Sequence, residues 1–255
     1  MDKSDIVNSG LIKQFGSFFD EYKTEIGIIL VIVLFYFLKE KKVFSNNLSD
    51  KLFENTYYVN LEHRKDRNEN TIKELNKFGI KNPKRFNAIK DDIGSVGCSK
   101  SHLKCLEIAK DNNWDYVAIF EDDVTFLKPE ETLLKLNNIL KSKIDWDVIL
   151  LGGNNSKPYT RINDDCIRVK NCQCCTSYIV KKSYYNKLID HWKDGLQKLI
   201  KTKNSSKYTI DQYWKILQKQ DIFLLITPLN VIQREDYSDI EKKKVNYKNV
   251  MLNHY

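Results

Sequence analysis

Three consecutive carboxylates, Glu121, Asp122 and Asp123, follow directly on the apolar run Val117–Phe120. Side chains alternate along a strand end, so Glu121 and Asp123 point to one side and Asp122 to the other. Like charges this close raise each other's cost of ionisation unless a cation lies among them. An all-oxygen donor set suits Mg2+ or Mn2+. A solvated acidic loop is the plainer reading of the same residues. A glycosidase pair fits less well, because those carboxylates face each other across a sugar, about 5–10 Å apart. A metal that holds a diphosphate accounts for the cluster better.

The elements around the triplet must position it. Strand patterns occur at 56–61, 85–89, 116–120, 147–151, 174–180 and 222–226. Helix patterns fall between them, at 66–78, 96–111, 129–141, 183–201 and 210–219. Strands alternating with helices predict an α/β fold with a mainly parallel sheet flanked by helices. Such sheets bind ligands beyond the carboxyl ends of their strands. On the 96–111 helix, Cys98, His102, Cys105 and Ala109 share one face. The other cysteines are Cys166, Cys172, Cys174 and Cys175. The Cys172-x-Cys174-Cys175 spacing is not that of a zinc site. Two adjacent cysteines on a strand would point to opposite faces. The thiols read as mostly free and buried; in an oxidising lumen disulfides would be open to them, with no pairing dictated. His63, His191 and His254 show no ligand spacing.

Composition bounds the rest. A chain of 255 residues, 42% hydrophobic, suits one domain of about 200 residues with an appendage. Nine Gly and four Pro exclude a collagen-like chain. A mean hydropathy of −0.51 excludes a multi-span membrane protein. The 42 basic residues include only six Arg and are interspersed with 34 acids, so the net charge of +8 reads as a solvated surface. Without zinc-finger spacing or a basic-aromatic motif, no nucleic-acid partner is expected.

One segment is locally very apolar. Ile26–Leu38 (IGIILVIVLFYFL) carries no charge. As a helix it rises about 20 Å, short of the roughly 30 Å hydrocarbon core. Lys23, Lys39 and Tyr22 can extend it by snorkelling. It is expected to anchor the chain in a membrane as an N-terminal helix; a buried element of a soluble fold is the other reading. Upstream, Val7, Leu11, Phe15 and Phe18 fall at near-helical spacing, as in a helix lying on a membrane surface. The expected domains are therefore 1–48, with its apolar core at 26–38, and 49–255. Lys39, Lys41 and Lys42 after the span argue for a cytosolic side there, whereas a luminal enzyme needs the reverse.

Several pieces in order form a larger pattern. They are Tyr58–Arg67 (YVNLEHRKDR), Phe86–Ile89 (FNAI), Gly97–His102 (GCSKSH) and Ile119–Val124 (IFEDDV). Trp146–Gly152 (WDVILLG), Thr176–Val180 (TSYIV), Ile210-Asp211 and Ser238–Ile240 (SDI) follow. Over roughly residues 55–241 this resembles glycosyltransferase family 25, which includes bacterial lipooligosaccharide galactosyltransferases and collagen hydroxylysine galactosyltransferases. The Lys/Asn-rich style also resembles that of giant-virus members, for which host endomembrane or virion would be the location.

The resemblance implies a GT-A-type, Rossmann-like fold, a UDP-sugar donor carrying galactose or glucose, Mn2+ or Mg2+ held by Glu121, Asp122 and Asp123, and transfer with inversion. The acceptor implied is a hydroxyl of a glycan or of hydroxylysine in a collagen-like protein. The collagen enzymes of the family carry a second transferase domain, for which 255 residues are not expected to leave room, a departure that counts against collagen specificity. For the base that removes the acceptor proton, the resemblance points to Asp211, and to Asp239 second. Their structural alternatives are a helix N-cap and an Asx turn. Donor contacts are assigned to Asn60, Arg64 and Arg67 after the first strand and to Ser101 and His102 on the next helix. Salt bridges to Glu62 or Asp66 are the alternative for the arginines, and core packing for His102. A rival from another class is a catalytically silent, membrane-anchored sugar-binding or scaffold protein, for which three clustered acids would have no use. A metal-dependent phosphodiesterase would be expected to carry His-rich metal sites.

Overall fold

The computed structural model describes residues 48–252. The apolar run at 26–38 and the amphipathic stretch before it lie outside the described residues. Among the described residues no helix is long and apolar enough to cross a membrane.

The first half alternates as its pattern predicts: α1 (Leu48–Phe53), β1 (Thr56–Asn60), α2 (Lys65–Lys77), β2 (Lys84–Asn87), α3 (Gly94–Asp111), β3 (Tyr116–Glu121), β4 (Val124–Phe126) and α4 (Pro129–Lys141). Then come β5 (Val148–Leu150), β6 (Asn154–Asn155), β7 (Tyr159–Arg161), β8 (Cys166–Val169), β9 (Cys172–Gln173), β10 (Ser177–Lys181) and α5 (Tyr185–Thr202). The chain closes with α6 (Ser205–Tyr208), α7 (Ile210–Tyr213), α8 (Lys215–Gln218), β11 (Phe223–Ile226), β12 (Val231–Gln233), β13 (Asp236–Ser238), β14 (Lys243–Val245) and α9 (Lys248–Leu252).

Eight strands form the central sheet in the order β2-β1-β3-β10-β5-β11-β8-β7. By their pairings, β2, β1, β3, β5, β11 and β7 run one way and β10 and β8 the other. The sheet is thus mostly parallel in direction, with a reversed strand at its centre. That reversal brings the start of β10 to the carboxyl end of β3, with Ser177 opposite Phe120.

Both faces of the sheet are covered. Val117 and Ile119 pack on one side with Leu106 and Ala109 of α3 and Leu188 and Trp192 of α5. Ala118 and Phe120 pack on the other with Leu75 of α2 and Leu136 and Ile139 of α4. Burial on both sides explains why the central strands read as continuous apolar runs.

Two expectations are corrected in detail. The strand placed at 174–180 begins at Ser177, because Cys174 has a left-handed backbone (φ 80°) that a strand cannot hold. Cys174 and Cys175 therefore precede the strand instead of alternating on it. The helix placed at 210–219 is two short helices meeting at Trp214, whose indole N–H donates to the Cys172 carbonyl at 2.9 Å.

Gly97 sits inside α3 where the preceding loop crosses closest. A β-carbon there would lie 2.4 Å from the Ile89 carbonyl oxygen. Gly97→Ala must push that loop away and is expected to cost about 1–3 kcal/mol, read as a lower urea midpoint at unchanged slope.

Candidate active site

The triplet stands where the sheet's parallel strands end. β1 and β3 lie side by side, Val59 opposite Glu121, so Asn60 and the acids share one edge. The strand ends at Glu121, and the turn at Asp122-Asp123 between β3 and β4, in place of the expected strand alternation, separates the three. Glu121 and Asp123 turn to one side, where Gln233 Nε2 donates to both, at 3.3 and 3.4 Å. Gln233 arrives because β12 pairs antiparallel with β4, placing it opposite Val124. The Arg234 amide holds the Asp123 carbonyl at 2.7 Å.

Asp122 turns the other way and is buried. Arg67 donates to its Oδ1 at 2.6 Å and Asn60 to its Oδ2 at 2.7 Å. Burial raises the Asp122 carboxyl despite these partners. Burial would lower the Arg67 guanidinium, but Asp122 and Asp123 outweigh it and keep it charged.

Asp123 is in a different condition. Its Oδ1 is buried and has no hydrogen-bond partner among the described residues. Burial, with the Glu121 charge adding to it, lifts its carboxyl to about 8. Two near-buried acids sharing one amide donor, one oxygen orphaned, are what a hard divalent cation would complete. The residues present therefore fit Mn2+ or Mg2+.

The other residues singled out from the sequence are placed as follows. Asn60 also donates to the Arg64 carbonyl (3.1 Å) and accepts from Arg85 (3.0 Å), a residue the motifs did not single out. Arg64 pairs with Asp66, Asp236 and Asp239. Arg67 reaches Asp122, Asp236 and the Tyr237 carbonyl, and stands 3.6 Å from Asp123. Asp239 is thus bound to Arg64 at 2.6 Å, with His63 at 3.6 Å. Asp236, also absent from the motifs, accepts from Arg64, Arg67 and Arg234 at 3.0–3.1 Å. Burial would raise its carboxyl, but these arginines and the Tyr237 amide bring it down to about 2. The network ties the β13 segment to the turn after β1.

Removing Arg67 strands Asp122 as a buried, uncompensated charge. Arg67→Ala is expected to cost about 3–5 kcal/mol in a denaturation curve. Adding Asp122→Asn to that variant should recover part of the loss, the signature of a coupled pair.

Ser101 is buried and spans two backbone groups, accepting from Ile89 N–H and donating to the Gly97 carbonyl, both at 2.8 Å. His102 is fully buried, its Nδ1 2.8 Å from the Tyr178 hydroxyl and its Nε2 3.6 Å from Glu121. Asp211 does not cap its own helix. Its Oδ1 accepts from Thr209 (2.8 Å) and its Oδ2 reaches across to the Cys174 amide (3.1 Å). Glu121 and Asp211 bear on the same thiols: burial first, then these two charges, push Cys98 and Cys175 well above the usual thiol range. No disulfide joins any of the six cysteines among the described residues.

Comparison with known proteins gives a family for part of the chain. Residues 92–214 match the model of Glycosyltransferase family 25 (LPS biosynthesis protein). No curated protein matches the chain in sequence. Among solved structures, A197 from STIV is similar with a TM-score of 0.41 at 15% identity, over 75% of this chain and 93% of that one. A glycosyltransferase involved in glycosylation of the major capsid of PBCV-1 gives 0.36 at 8% identity, over 68% and 92%. A variant of Drosophila beta-1,4-galactosyltransferase 7 in complex with manganese, UDP-Gal and xylobiose gives 0.38 at 9% identity, over 76% and 71%.

Proposed function

We propose, from the match of residues 92–214 to the family 25 glycosyltransferase model, that this glycosyltransferase moves galactose or glucose from a UDP-sugar to an acceptor hydroxyl, with a divalent cation at Glu121 and Asp123. The observation that carries the reading is the pair itself: two carboxylates oriented by one Gln233 amide, with Asp123 Oδ1 buried and unpartnered. Glu121 and Asp123 would hold Mn2+ or Mg2+, which when bound offsets charge developing on the diphosphate leaving group. Asp122, assigned to the metal from the sequence, acts on this reading through Arg67 and Asn60 by fixing the chain that carries its two neighbours. Arg64 and Arg67, mutually held through Asp236, supply fixed positive charge beside the acids. Asp211 takes the acceptor proton.

The acceptor belongs to the same proposal: a sugar hydroxyl or hydroxylysine. The run at 26–38 would hold the enzyme at a membrane. The test is UDP release by the full chain, in detergent, over a panel of nucleotide sugars with Mn2+, Mg2+ or chelator. Release from one donor that chelator abolishes is the expected result. No release, together with no metal-dependent UDP binding, would overturn the reading in favour of a silent sugar-binding protein.

A further inference from the structure

Residues four apart on a helix are neighbours, so Cys98 and His102 present a thiol and an imidazole together. In α3 that face looks at the end of β3. One ligand atom each of Cys98, His102 and Glu121 lies within 4.8 Å of the others. His102 is completely buried, and its Nε2 has no hydrogen-bond partner among the described residues. It faces Glu121 Oε1 at 3.6 Å, too far for a hydrogen bond. The other ring nitrogen is fixed by the Tyr178 hydroxyl at 2.8 Å. A ligating histidine is ordinarily oriented in this way, through its second nitrogen.

We infer that Cys98, His102 and Glu121 form a site for a thiophilic divalent cation, Zn2+ above all, separate from the hard-cation pair and sharing Glu121 with it. The donor chemistry decides between metals. Sulfur, imidazole nitrogen and one carboxylate oxygen make a zinc set, whereas Mn2+ and Mg2+ favour oxygen throughout. Three protein ligands leave the fourth tetrahedral position to water. Zinc bonds of about 2.0–2.3 Å require the three atoms to draw together. Glu121 can supply that movement, since its side chain is 22% exposed while that of His102 is wholly enclosed. Binding replaces the Cys98 S–H bond with S–Zn and releases its proton to solvent. It also takes Glu121 from Asp123, so Zn2+ inhibits turnover supported by Mn2+. That consequence rests on the proposed donor site; the binding itself does not.

The test uses Co2+ as a spectroscopic stand-in on the full chain. The expected result is a near-ultraviolet thiolate-to-cobalt charge-transfer band that Zn2+ bleaches. Cys98→Ser should lose the band and Cys105→Ser should keep it. X-ray absorption of the unaltered zinc-loaded chain should show one sulfur at about 2.3 Å and nitrogen or oxygen at about 2.0–2.1 Å, which guards against a variant that fails to fold. In turnover assays Cys98→Ser should raise the Zn2+ needed for half-inhibition at least about tenfold. No band in the unaltered chain, a band that survives Cys98→Ser, or a zinc shell without sulfur would overturn the site. A band together with no metal-dependent turnover would uphold the site and overturn the donor reading instead.

Discussion

Asp123→Asn is expected to lower metal-supported turnover about a thousandfold and to leave the fold intact. The size follows from the proposed cation: the substitution removes one of its two carboxylates, and a preorganised positive charge beside the leaving group is worth about two to three orders of magnitude in rate. The fold survives because the site gains from neutrality. Burial and the Glu121 charge push the Asp123 carboxyl in the folded chain up to about 8, from the ordinary 3.8 of an aspartate. Between those values the folded state holds a proton that the unfolded state has lost. Stability from this group is therefore full below about pH 4, declines as pH rises, and is gone above about pH 8. Asparagine carries no such proton. Without metal, the variant should melt above its parent at about pH 9 and close to it at about pH 4. Mn2+ should raise the melting temperature of the parent at high pH and leave that of the variant unmoved. Full turnover in the variant would place the cation elsewhere.

The same residues show why some of the site was legible and some was not. A carboxylate run at the end of an apolar strand marked the site, and Asp122 does part from Glu121 and Asp123, but a turn at Asp122-Asp123 and not period-two alternation turns it away. The helix expected at 129–141 is Pro129–Lys141, since a proline tolerated in the first turn marks its start. Gln233 left no such trace. It reaches the acids through a three-residue ladder between β12 and β4, too short for periodicity and joining segments over a hundred residues apart. Asp236 was equally silent, since only the folded chain gathers Arg64, Arg67 and Arg234 around it. The alternative partner proposed for the arginines was half right: Asp66 holds Arg64, but so do two acids far along the chain. At Cys174 the pattern misled, because nothing in Cys174-Cys175-Thr176 marks the left-handed backbone at Cys174 that delays the strand to Ser177.

Asp211 is where two roles make opposite predictions for one substitution. Its carboxylate spans from Thr209 to the Cys174 amide, tying α7 to the loop that precedes β10. If that tie were all, Asp211→Asn could keep its Oδ1 on the Cys174 N–H and turn its amide N–H to the Thr209 hydroxyl, which can accept. Stability would fall by about 1 kcal/mol or less, and the rate would hold. A base makes a different signature. Each carboxylate oxygen keeps a second lone pair, so Asp211 can accept an acceptor proton without giving up either bond. Its loss should then cost about 10²–10⁴ in kcat, with the KM for the UDP-sugar unchanged because the donor is held by other residues. Slow hydrolysis of the donor by water should fall less than transfer, since hydroxide supplied by solvent at high pH can replace a missing base. The decisive comparison is kcat for transfer against the melting temperature in Asp211→Asn, with Thr209→Val as the control that removes the hydroxyl and its bonds to Asp211 and to the Ser205 carbonyl while leaving the Asp211 carboxylate in place. A rate that falls no further than stability does would assign Asp211 to the scaffold and send the search for the base to another carboxylate at this edge of the sheet.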